Sequence, residues 1–62
     1  MVTKFEILRR GAGLTRSDLA EKAGVSRPTI NKIERGEIGN VTVSVLLKCA
    51  DAIGCGIMDF FD

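Results

Sequence analysis

An all-α bundle of five short helices is expected for these 62 residues. Three features carry that expectation. First, one pattern occurs five times: an apolar residue, then a residue able to cap a helix, then a second apolar residue five positions after the first. This is a hydrophobic staple around an N-cap, which sets the angle at which a chain enters a helix. Second, glycines stand where helices of ordinary length would stop. Third, the alternation of a half-buried strand is almost missing.

The elements follow in order. Val2-Thr3 with Ile7 starts a helix over 4–11, and Thr3-x-x-Glu6 reads as a full capping box. Its end is the least defined, because Gly11-Ala12-Gly13 offers two stops. Gly11 itself weakens the helix by ~1 kcal/mol. Leu14-Thr15 with Leu19 starts a helix over 16–23, stopped at Gly24; Thr15-x-x-Asp18 is a shorter relative of the capping box, with its carboxylate at the positive end of the dipole. Val25-Ser26 with Ile30 starts a third over 27–35, stopped at Gly36. Pro28 occupies its second position, where a missing N–H costs little, so Ser26 must cap through the N–H of Thr29. Val41-Thr42 with Leu46 starts a fourth over 43–53, stopped at Gly54. Val41 to Val45 alternate like a strand, but the run continues at helical period through Ala50. Cys55-Gly56 with Phe60 starts a fifth over 57–61, the weakest case. No linker divides the chain, so residues 1–62 read as one domain.

Composition excludes several functions. The chain has no His, Tyr or Trp, so the usual general base is absent and an enzyme is not expected. No apolar run reaches the ~18 residues of a membrane span, and no signal peptide opens the chain. Cys49 and Cys55, without His or further Cys, fall short of the four ligands of a zinc site; no metal or other cofactor is expected. Two cysteines also cannot form a dense disulfide framework, which points to the cytoplasm with both thiols reduced. Cys49 falls beside Leu46, Ala50 and Ile53 and reads as a small core residue.

The net charge of +1 hides a polarised chain. Residues 1–35 carry eight cations against four acids, whereas residues 36–62 carry one against four. The basic half suits a polyanion. The third helix sharpens this. At ~100° per residue, Arg27, Asn31, Arg35, Pro28 and Lys32 share one arc, which holds three cations and an amide and no acid. Ile30 and Ile33 make a narrow apolar side. Arginine and asparagine can pair bidentately with guanine and adenine edges in the major groove.

Leu14 to Gly36 reads LTRSDLAEKAGVSRPTINKIERG. With Leu8-Arg9 before it, and Leu46, Ala50 and Gly54-Cys55-Gly56-Ile57-Met58-Asp59 after it, this resembles the XRE family of phage Cro and repressor proteins. The likeness covers nearly the whole chain, and its tail is similar to that of short bacterial regulators. It implies a lambda-repressor-like five-helix bundle containing a helix-turn-helix, with the third helix in the major groove of double-stranded DNA. It implies a transcriptional regulator, a repressor by preference. Gly24-Val25-Ser26 suits the three-residue turn, and Ala20 and Ala23 keep the second helix slim where the third must cross it.

Carried over by position, Arg27, Pro28, Asn31 and Lys32 face the bases. Pro28 either offers its ring to a thymine methyl or stiffens the helix start, the latter preferred. Arg16, Ser26 and Thr29 match positions that touch phosphate or support the reading side chains. Arg16 also opens the second helix, whose N-terminus favours an anion. Arg35, at the far end of the reading helix, is assigned to the phosphate backbone, as is Asn40. The segment Glu37-Ile38-Gly39-Asn40 departs from the family pattern in being slightly acidic. Arg9 and Glu34 match a structural ion pair joining the first helix to the third, and Glu34 near a helix C-terminus needs such a cation.

Ile57, Met58, Phe60 and Phe61 crowd the tail beyond what one face of a short helix can bury. Some must close over Phe5 and Leu8, and those left exposed suit a homodimer through 57–61. The alternative to a regulator is an antitoxin or interaction module that docks a toxin or other protein through the same fold. The acid-free arc argues against a pure interaction module, which would concentrate apolar residues there.

Overall fold

The structure is a computed structural model that describes residues 2–61. Among the described residues there are four α-helices: α1 (Lys4–Gly11), α2 (Arg16–Ala23), α3 (Arg27–Glu34) and α4 (Val43–Ile53). Two 3-10 turns accompany them, one over Ile38–Asn40 between α3 and α4 and one over Ile57–Phe60 after α4. No strand occurs among the described residues. None of the helices is long and apolar enough to cross a membrane.

Each α-helix starts as its cap residue dictates. The hydroxyls of Thr3, Thr15, Ser26 and Thr42 accept from the backbone N–H of Glu6, Asp18, Thr29 and Val45, three residues on. Each such bond satisfies a donor the helix leaves open, worth ~1 kcal/mol. The two capping boxes exchange places relative to expectation. At α2 the box is complete: Thr15 Oγ1 accepts from Asp18 N–H and Asp18 Oδ2 accepts from Thr15 N–H, both at 3.0 Å. At α1 only the threonine half forms, because the carboxylate of Glu6 pairs with Arg10 at 2.8 Å, one turn along. The bonds from the Thr15 backbone, then from its hydroxyl, hold the Asp18 carboxyl below its ordinary value near 3.8.

The stops are equally local. Gly24 ends α2 at φ 72°, and the Val25 N–H reaches back to the Ala20 carbonyl at 3.0 Å. At the end of α1, Gly11 stays helical and Gly13 takes the left-handed conformation at φ 74°. That settles which glycine turns the chain.

Two expectations about where helices run also need correction. The fifth helix is a 3-10 turn of four residues rather than an α-helix over 57–61. Four residues cannot repay the cost of nucleating an α-helix. Asp59 and Phe61 instead donate to carbonyls three residues back, and Asp59 Oδ2 caps the Gly56 N–H at 3.0 Å. The third helix ends at Glu34, with Arg35 as its C-cap and Gly36 turning away at φ 87°. The turn over Ile38–Asn40 was not anticipated, since three residues carry no periodic signal.

The core is Phe5, Leu19, Ala20, Ile30, Ile33, Leu46, Cys49, Ala50, Ala52 and Phe60. α2 packs against α3 and α4, and α1 packs against α3 and the C-terminal turn. Phe60 closes the bundle over Phe5, their ring centroids 5.0 Å apart and tilted by 56°. Burying one such side chain contributes ~1.5–3 kcal/mol. Met58 and Phe61 remain exposed. Cys49 is fully buried, and both cysteines are free thiols.

Candidate nucleic-acid interface

α3 enters from a three-residue turn, Gly24-Val25-Ser26, that follows α2 directly. On α2, which packs against α3, Ala20 is buried and Ala23 half-buried. Ile30 and Ile33 then anchor α3 from below, both almost fully buried.

The opposite arc lies at the surface. Arg27 and Pro28 are exposed, and Asn31 and Lys32 are half-buried. The four proposed base-facing residues therefore share one accessible side of α3. Pro28 sits at the start of the helix, where its ring sets the backbone without costing a hydrogen bond.

The residues assigned to phosphate are less uniform. Ser26 and Thr29 are coupled: Ser26 Oγ accepts from the Thr29 N–H at 3.3 Å, and the two hydroxyls lie 2.8 Å apart. Ser26 is exposed and Thr29 half-buried, so the pair caps α3 at its outer rim. Arg35 is exposed and its Nε donates to Glu37 Oε2 at 2.7 Å. The acidic character of the segment after α3 thus answers a cation at the helix end. An exposed pair of this kind is worth little and exchanges readily for another anion. Asn40 is exposed at the end of the first 3-10 turn.

Arg9 and Glu34 form the firmest polar contact of the site. Arg9 Nε donates to Glu34 Oε2 at 2.8 Å, Nη2 reaches Oε1 at 3.5 Å, and Nη1 donates to the Leu14 carbonyl at 2.6 Å. Both side chains are buried. This ties the C-terminal end of α3 to α1 and to the segment before α2.

Arg16 holds a surprise that sequence reasoning missed. Its Nε donates to the same carboxylate, at Glu34 Oε1, at 3.3 Å. Arg16 and Glu34 belong to different helices, so no periodicity within either helix signals the contact. The opposite charges were visible in the sequence, but not their proximity. Glu6, Arg16, Asn31, Glu34 and Arg35 together line a cleft of about 300 Å³ where α1, α2 and α3 converge. A larger cleft, of about 700 Å³, lies between the start of α1, the end of α3 and the tail, with Val2, Ile7 and Phe61 among its lining residues.

A surface helix bearing arginine, lysine and asparagine, set across a second helix by a three-residue turn, defines a helix-turn-helix protein. The sequence matches the helix-turn-helix family over residues 5–60, and the chain belongs to that family. It is similar to an uncharacterized HTH-type transcriptional regulator of Methanocaldococcus jannaschii, with 39% identity over 61 residues that cover 98% of this chain and 91% of that protein.

Proposed function

We propose that the protein is a sequence-specific DNA-binding transcriptional regulator, with residues 1–62 working as one unit that reads the major groove through α3. The observation that carries the reading is the surface arc of Arg27, Pro28, Asn31 and Lys32, which holds no acid and stays clear of the core. Arg27 and Asn31 supply bidentate donors for guanine and adenine edges. Lys32 adds a cation beside them, and Pro28 stiffens the entry to the helix. Arg16, Ser26, Thr29, Arg35 and Asn40 take the phosphate contacts, which fix register without reading sequence. The regulator acts as a repressor, since a domain seated on a promoter blocks other proteins by occupancy alone.

A single short reading helix gives weak, salt-sensitive binding. We infer a homodimer through 57–61, which would set two reading helices about 34 Å apart on successive turns of the duplex. Exposed Met58 and Phe61 support this reading.

The test is selection from random duplexes, followed by titration of the preferred sequence at several salt concentrations. Asn31→Ala and Arg27→Ala should each relax base preference by ~1–3 kcal/mol. Unchanged affinity and preference in both folded variants would overturn the assignment of reading residues.

A further inference from the structure

Glu34 is the last residue of α3, and two guanidinium groups share its carboxylate. Their situations differ. Arg9 is buried, and all three of its nitrogens are bonded within the molecule. Arg16 has a side chain 54% exposed and uses only Nε, on Glu34 Oε1. Its two terminal Nη groups carry no other bond among the described residues. An arginine tethered through Nε to a fixed carboxylate has the direction of its outer edge set in advance.

The charges make the same point. Two guanidinium groups on one carboxylate leave a surplus of one positive charge. The other charged residues around the cleft are matched: Glu6 is paired with Arg10 at 2.8 Å and Arg35 with Glu37 at 2.7 Å. The surplus therefore sits at the exposed edge of Arg16, in the cleft that Asn31 also lines.

We propose that Glu34 is a positioning residue for Arg16, aiming its Nη groups at a backbone phosphate beside the reading face of α3. The inference rests on the DNA-binding reading above and gives Glu34 a role beyond its pair with Arg9. The phosphate oxyanion supplies the negative charge that the cluster lacks. Because the carboxylate belongs to α3, the phosphate contact of α2 is held in register with the helix that reads the bases. Ordering a flexible side chain before association also removes a cost otherwise met on binding.

The experiment compares wild type, Arg16→Ala, Arg16→Lys, Glu34→Gln and the Arg16→Ala/Glu34→Gln double variant on one random-sequence duplex. Fluorescence anisotropy gives affinity across a salt series, and circular dichroism reports the folded fraction at each titration. Lysine keeps the charge but has no Nε–H to anchor and no fork to aim. Arg16→Ala, which gives up both the charge and the fork, is expected to lose affinity roughly tenfold, the scale of one charge-assisted contact, and Arg16→Lys, which keeps the charge but not the aimed fork, to lose about threefold. The salt dependence should separate the two: Arg16→Ala lowers the slope by about one and Arg16→Lys leaves it near wild type. Glu34→Gln should weaken binding in the wild-type background and add nothing once Arg16 is alanine. If Glu34→Gln does not fold, the Arg16→Lys comparison decides alone. Wild-type affinity in Arg16→Lys, or a Glu34→Gln effect just as large without Arg16, overturns the positioning role while DNA binding stands. Failure of the wild type to bind duplexes at all would instead overturn the DNA reading.

Discussion

Arg9 commits its whole guanidinium to the interior, and few single residues in so small a molecule hold as many elements together. It joins α1 to the end of α3 through Glu34 and to the Leu14 carbonyl ahead of α2. Arg9→Met should lower unfolding stability by ~3–5 kcal/mol, measured by urea denaturation, because it strips the main partner from a buried carboxylate. Arg16, half in solvent, reaches only one of the two oxygens and cannot replace it. Cys49 offers a different measurement. Burial pushes its thiol from an ordinary value near 9 up to about 11. Below pH 9 the folded and unfolded chains both keep this proton, and its contribution to stability is complete. Between about 9 and 11 only the unfolded chain gives the proton up, so stability falls as pH rises through that window. Thiol labelling at pH 8 should modify Cys55 first, since it is only half-buried, and Cys49 only as fast as the protein opens. Equal labelling rates would contradict the burial of Cys49.

Among the elements, the joint between α2 and α3 matters most, because it sets the angle of the reading helix. Gly24 takes φ 72° there, and nothing lies within 4 Å of where a Cβ would stand. Gly24→Ala therefore meets no clash, only the backbone cost of a left-handed L-residue, ~1–2 kcal/mol. A thermal melt should register this as a drop of ~4–8 °C per kcal/mol in a domain this small. A variant as stable as wild type would mean that the turn has relaxed, and the crossing of α3 with it. Caps and stops of this kind were legible in advance because they are local. A threonine or serine reaches its own first turn, and glycine alone turns left without strain. The capping box at α1 failed for an equally local reason, since Glu6 had Arg10 one turn away. The fifth helix failed on length. Its staple residues are present, but four residues between Gly56 and Phe61 allow only the tighter 3-10 winding.

For the molecule as a whole, the distribution of apolar side chains bears on assembly. Phe60 is spent inside against Phe5, whereas Met58 is 75% exposed and Phe61 40% exposed. Val2 and Ile7 are exposed as well and line the larger cleft with Phe61. Met58→Glu should leave the fold intact, because its side chain packs on little. It should shift the mass measured by light scattering from dimer to monomer. It should also abolish the preference for two spaced half-sites over one. A wild-type protein that is monomeric at every concentration tried would sink the dimer.

The order of the four α-helices, their N-cap residues, the turns at Gly24, Gly36 and Gly54, the buried stripe of Ile30 and Ile33 and the cationic arc opposite it were readable from the chain. Each depends on residues within one or two helical turns of each other, where spacing and side-chain chemistry suffice. Only the folded molecule decided which of the tail's apolar residues closes the core, that Glu37 answers Arg35 and that Arg16 shares Glu34 with Arg9. The long-range contacts among these join residues far apart in sequence. They arise from how α1, α2 and α3 pack, and packing is a property of all the helices at once.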